Sequence, residues 1–111
     1  MTVLVTGAAG FIGDALVDRL LELSATSKII NIDNFDPFYD LRIKEDRVAQ
    51  HLKKGKDRYT LIRADISDRK TLFSQLDDTK IDIIVHLAAK AGVRPSIADP
   101  ESYVKTNILG T

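Results

Sequence analysis

Three glycines spaced three apart, Gly7, Gly10 and Gly13, follow a short apolar run, Val3-Leu4-Val5, and open a stretch of helical periodicity. A strand that enters a helix through so tight a turn leaves the first N–H groups of that helix without backbone partners. Together with the positive end of the helix dipole, those groups form a seat for a phosphate. The spacing suits that geometry: Gly7 allows a tight turn, Gly10 clears a side chain from an approaching anion, and Gly13 lets the helix pack closely on the strand. The plainer alternative is a tight turn with no ligand.

The rest of the chain supplies the frame such a loop requires. Ile12, Leu16, Leu20 and Leu23 recur at helical spacing from Phe11 to Leu23. Ile29 to Ile32 reads as a second strand closed by Asp33, and Tyr39 to Lys54 as a polar surface helix with Leu41, Val48 and Leu52 on one side. Tyr59 to Arg63 reads as the third strand, and Ser67 or Asp68 caps a short helix carrying Leu72, Phe73 and Leu76. Ile81 to Leu87 is the fourth and most apolar strand, followed by a loop through Gly92, Arg94 and Pro95 and a last helix starting near Pro100. Four strands alternating with four helices predict an α/β domain over residues 1–111, a parallel sheet covered on both faces. The doubly wound Rossmann-type arrangement then sets the strand order 3-2-1-4.

Charge and composition narrow the partners. Sixteen basic residues balance sixteen acidic ones, which argues against a nucleic-acid footprint or a polybasic membrane anchor. The absence of cysteine excludes disulfides, thiolate metal sites and a Cys nucleophile. No apolar run approaches the roughly 20 residues of a membrane helix, and Met1 to Val5 has no signal-peptide character. The expectation is a cytoplasmic protein.

Asp33 makes the glycine loop specific. It lies 20 residues beyond Gly13, at the end of the second strand, where a carboxylate accepts hydrogen bonds from adenosine ribose hydroxyls and repels a 2′-phosphate. The combination predicts NAD rather than NADP.

With these residues in place, the chain resembles the extended short-chain dehydrogenases/reductases, in particular the NAD-dependent sugar-nucleotide epimerase/dehydratase family. The likeness spans all 111 residues and rests on the glycine spacing, Asp33-Asn34, Asp65-Ile66, the block from His86 to Ser96, and Asn107 with Gly110-Thr111. The loop Asn34 to Asp40 and the Ala-Gly-Val-Arg-Pro-Ser string resemble the UDP-glucuronate 4-epimerase branch. The resemblance implies that Phe11 and Ile12 offer backbone N–H groups to the pyrophosphate, and that Asp33 and Asn34 bind the adenosine ribose. It also implies that Asp65 and Ile66 border the adenine and that Leu87, Ala88, Ala89 and Lys90 line the cofactor, the plainer alternative for Leu87 to Ala89 being core packing. Asn107 matches an asparagine that supports the active-site proton network, the alternative being a polar helix flank. Arg94 either reaches a substrate carboxylate or phosphate or stays on the surface. His86 reads as a strand histidine satisfied in the core, and His51 as solvated. Asp14 departs from the family pattern, and its effect on the cofactor depends on whether it faces the phosphates or solvent.

The family's catalytic Tyr-x-x-x-Lys is not among these residues: Tyr39 is followed four places on by Ile43, Tyr59 by Arg63 and Tyr103 by Asn107. In the family that motif lies beyond a fifth strand, and this chain ends in the helix after strand four. The resemblance therefore implies the N-terminal, NAD-binding part of a UDP-sugar epimerase without catalysis of its own. A free-standing NAD-binding module and an interaction protein stay open as alternatives. Strand four, lying at an edge, is expected to self-associate or to pair with a complementary chain.

Overall fold

The structure, a computed structural model, describes residues 1–111. Four strands, β1 (Thr2–Thr6), β2 (Lys28–Asp33), β3 (Tyr59–Arg63) and β4 (Ile83–His86), form one parallel sheet in the order β3-β2-β1-β4. The expected α/β architecture is therefore present, with β4 shorter than its apolar run. The helices are α1 (Phe11–Glu22), α2 (Leu41–Gly55), α3 (Arg69–Leu76), α4 (Val93–Ala98) and α5 (Pro100–Val104), which continues into a π-helical turn, Lys105–Leu109.

Alternation along the strands divides the core in two. Val3, Val5 and Ile29 join Val17, Leu21 and Val48 under α1 and α2, while Leu4, Ile30 and Ile32 pack with Leu72 and Leu76 of α3 on the other face. Caps stop and start the helices where the sequence allows. Asp40 accepts from Arg42 N and Asp68 from Thr71 N, each satisfying an N–H that a helix start leaves unpaired.

Four expectations need correction. The α1 stripe is rotated: Gly13, Val17 and Leu21 are buried with Leu16 and Leu20 beside them, whereas Ile12 and Leu23 are 67% and 40% exposed. The inner face of α2 is Lys44, Val48, His51 and Gly55, not Leu41 and Leu52. Residues 93–98 form α4 instead of a loop, because Pro95 falls in the first turn, where no intrahelical N–H is required. His51, expected in solvent, is only 2% exposed, since α2 turns that position onto α1 and Tyr59. No helix is long and apolar enough to cross a membrane.

Candidate nucleotide-binding site

The glycine loop sits where β1 ends in the middle of the sheet, and its backbone is held from below. Gly7 takes φ +76 and its N–H donates to Ile32 O at 2.8 Å. A Cβ on Gly13 would stand 2.6 Å from Ala8 Cα, so only glycine brings α1 this close to the strand. A Cβ on Gly10 would meet only Gly7 O, at 3.1 Å, and otherwise project into open space. Two buried side chains from β2 fix the loop's N–H groups: Asn31 Oδ1 accepts from Ala8 N and Asp33 Oδ2 from Ala9 N, each at 3.1 Å. From α2, Arg47 Nη1 donates to Ala9 O at 3.1 Å. The N–H groups of Phe11, Ile12 and Gly13 have no acceptor within the chain, and Gly10 provides no side-chain cap. Three unpaired donors at the positive end of a helix present the chemistry of an anion site.

Asp33 forms the second element. Its carboxylate is buried at the C-terminal end of β2, with Oδ1 accepting from Phe35 N at 2.8 Å while Oδ2 holds Ala9 N. Each oxygen keeps acceptor capacity beyond that one N–H, and the residue lines the cleft. Asn34 lies exposed beside it, its Oδ1 accepting from Asp36 N at 3.1 Å.

The third element is the end of β4, which Thr6 organises. Thr6 Oγ1 accepts from Leu87 N and Ala88 N, both at 3.1 Å, and lies 2.7 Å from His86 Nδ1. With two N–H groups already on its lone pairs, the hydroxyl hydrogen goes to Nδ1, which leaves Nε2 to donate to Thr111 Oγ1 at 3.3 Å. His86 is thus satisfied as expected, but at an exposed strand end and not in the core. Asn107 clamps Lys90 from the π-helical turn, its Oδ1 accepting from Lys90 N at 2.8 Å and its Nδ2 donating to Lys90 O at 3.0 Å. Lys90 Nζ in turn lies 3.7 Å from Asp36 across the site.

These elements enclose a cleft of about 430 Å³ whose wall includes Gly7, Gly10, Asp33, Asn34, Ile66 and the segment Leu87 to Lys90. The side chains of Phe11 and Ile12 point away into solvent. Asp65 stands off the wall, its carboxylate held well below the usual carboxylate range by hydrogen bonds from the hydroxyl and N–H of Ser67. Arg94 is exposed on α4, outside the cleft. Asp14 faces neither phosphates nor open solvent but α2, with His51 Nε2 at 2.8 Å and Arg47 Nε at 3.6 Å. Neither ring nitrogen of His51 has an aligned hydrogen bond, and burial lowers its pKa against the opposing pull of Asp14. Tyr59 is pushed up to about 12 by burial, with its hydroxyl accepting from Asn31 Nδ2 at 2.9 Å.

Three supporting residues were missed by sequence reasoning. Asn31 carried the clearest signal, a polar residue inside the apolar run Ile29 to Ile32. Thr6 and Arg47 carried none, because their roles depend on segments distant in sequence.

A parallel 3-2-1-4 sheet with a glycine turn feeding α1 and an acid closing β2 defines a Rossmann-type domain of the short-chain dehydrogenase/reductase kind. Within that class the chain belongs to the GDP-mannose 4,6-dehydratase family, whose profile matches residues 4–111. It is 44% identical over 109 residues to an uncharacterized protein of Methanocaldococcus jannaschii, covering 98% of this chain and 33% of that one. A probable UDP-glucuronate 4-epimerase of Rhizobium meliloti is 34% identical over 111 residues, covering 100% of this chain and 31% of its relative. Among solved structures, the UDP-glucuronic acid 4-epimerase of Bacillus cereus, in complex with UDP-glucuronic acid and NAD, superposes with a TM-score of 0.83 at 39% identity, covering 99% of this chain and 33% of that one. The chain thus spans about a third of the length of the relatives it matches.

Proposed function

We propose that this chain holds NAD for a nucleotide-sugar epimerase or dehydratase, the whole protein's reaction being C4 epimerisation of UDP-glucuronate or a related UDP-sugar. The observation that carries the reading is the pairing of three unpaired N–H groups at the start of α1 with a buried, partly free carboxylate at the end of the neighbouring strand. The first suits a pyrophosphate and the second a ribose diol. The unfilled space at Gly10 leaves room for the phosphates. NAD, when bound, supplies the hydride acceptor and donor. Phe11, Ile12 and Gly13 would hold its phosphates, Asp33 and Asn34 its adenosine ribose, and the Leu87 to Lys90 segment its other half. Asp65 and Ile66 would border the adenine.

These residues bind and orient, but none moves a proton from a sugar hydroxyl. Tyr59 is buried and bonded to Asn31, Tyr103 donates to Ala91 O at 2.7 Å, and Tyr39, on the cleft wall, has Ile43 and not a lysine four places on. General-base catalysis contributes about 10²- to 10⁴-fold, so the chain alone is expected to show no turnover of UDP-glucuronate with NAD. The free edge of β4 is the surface through which we propose that it associates.

Calorimetric titration with both cofactors tests the reading. NAD binds in preference to NADP, and Asp33→Ala weakens NAD by about tenfold or more. Because each carboxylate oxygen also holds an N–H of its own chain, Asp33→Asn keeps one of those two bonds where Asp33→Ala keeps neither, and a melting temperature is read beside each affinity. Asp33→Asn keeps an acceptor and narrows the preference for NAD. Equal or tighter NADP binding by the unaltered chain would falsify the ribose assignment.

A further inference from the structure

Lys44 occupies an unusual position for a lysine. It lies in the opening turn of α2 with its side chain only 9% exposed, on the wall of the same cleft. The nearest carboxylate oxygen, Asp33 Oδ1, is 4.0 Å from Nζ, beyond hydrogen-bond reach, and no other acceptor meets the ammonium. Helix electrostatics do not account for it, since a cation near a helix N-terminus opposes the dipole. The stem is buried while Nζ stays open to the cleft, so its three donors face whatever occupies that space.

The two charged groups on this wall are complementary in kind. Asp33 can only accept and Lys44 can only donate. A hydroxyl does both at once, and a ribose presents two of them side by side. A phosphate would suit Lys44 and be repelled by Asp33, whereas an amine would suit Asp33 and be repelled by Lys44. We propose that Lys44 is a second reader of the adenosine ribose, donating to the hydroxyls that donate to Asp33. This deepens, and rests on, the NAD reading. Lys44 also offsets part of the repulsion that Asp33 exerts on a 2′-phosphate.

The test uses the 111-residue chain with NAD, ADP, 2′-deoxy-ADP and 3′-deoxy-ADP, on the unaltered protein and on Lys44→Met and Lys44→Arg. The expected result is an affinity for NAD and ADP that falls by about tenfold in Lys44→Met, with a much smaller loss for whichever deoxy ligand lacks the hydroxyl Lys44 reads. Lys44→Arg, which keeps donors, recovers part of the affinity. Lys44→Met is also expected to raise the preference for NAD over NADP. Unchanged affinity in Lys44→Met overturns the proposal. So does an equal loss for all four ligands, which would mean simple attraction to phosphate charge. If the unaltered chain binds neither NAD nor ADP, the NAD reading fails as well. NAD binding that ignores Lys44 sinks this inference alone.

Discussion

Asn31 ties the core to the glycine loop through one side chain. Buried in the middle of β2, it accepts from Ala8 N and donates to the Tyr59 hydroxyl. Asn31→Ala leaves both partners unsatisfied, and unfolding by urea is expected to show a loss of about 2–4 kcal/mol. Tyr59→Phe removes only one of these bonds and should cost less. At the same scale, His51 sets an acid limit. Its pKa in the fold lies below 6.5 because burial disfavours the charged ring. The unfolded chain therefore takes up the proton first. The stability contribution is complete above about pH 6.5 and falls as pH drops toward the depressed value. Asp14→Asn removes the carboxylate that favours the charged ring, so acid sensitivity should grow. Melting temperatures of both proteins between pH 7.5 and 5 check this, and a variant less acid-sensitive than the parent refutes it.

At the scale of elements, the helices were legible as helices while their inner faces were not. Helical spacing in α1 fits both the stripe Ile12-Leu16-Leu20-Leu23 and the stripe Gly13-Val17-Leu21, and hydrophobicity alone favours the first. The second is buried because Gly13 must lie against the β1 turn, which fixes the rotation of the whole helix. Leu21→Ala is therefore expected to destabilise by about 2–5 kcal/mol. Leu23→Ala, at an exposed position, should stay within about 0.5 kcal/mol. Chemical denaturation of the pair decides between the two faces, and the reverse order would restore the sequence-based stripe. In α2 the same effect puts Lys44 and His51 inside and Leu41 and Leu52 outside. Pattern reasoning assigns charged residues to solvent, and it erred at both polar positions that serve the site or its support.

For the whole molecule, the open question of chemistry is the outer edge of β4. β4 pairs with β1 on one side only, and Ile84 is 64% exposed beside an apolar groove of about 600 Å³ that reaches Leu72 and Phe73. Asp82, the one charge on this run, is turned inward, with Oδ2 accepting from Thr2 N at 2.7 Å, so it does not guard the edge. An unpaired apolar edge recruits another strand. Size-exclusion chromatography with light scattering is expected to show concentration-dependent association that Ile84→Lys suppresses. A monomer at all concentrations would show the edge to be protected.

What the sequence determined by itself is the set of local and periodic features: four strands alternating with helices, the glycine turn, the acid that closes β2, and hence the 3-2-1-4 sheet with the glycine turn feeding α1. These signals depend on spacing within a few residues, or on a strand-helix-strand repeat that admits few topologies. Only the tertiary structure decided which helix faces turn inward, that Asp14 answers to His51 and Arg47, that Asp33 supports Ala9, and that Lys44 stands in the cleft. Ala9 and Asp33 lie 24 residues apart and Arg47 and Ala9 38 apart. Such contacts form only once close packing has brought the elements into register, and no periodicity within one segment encodes them.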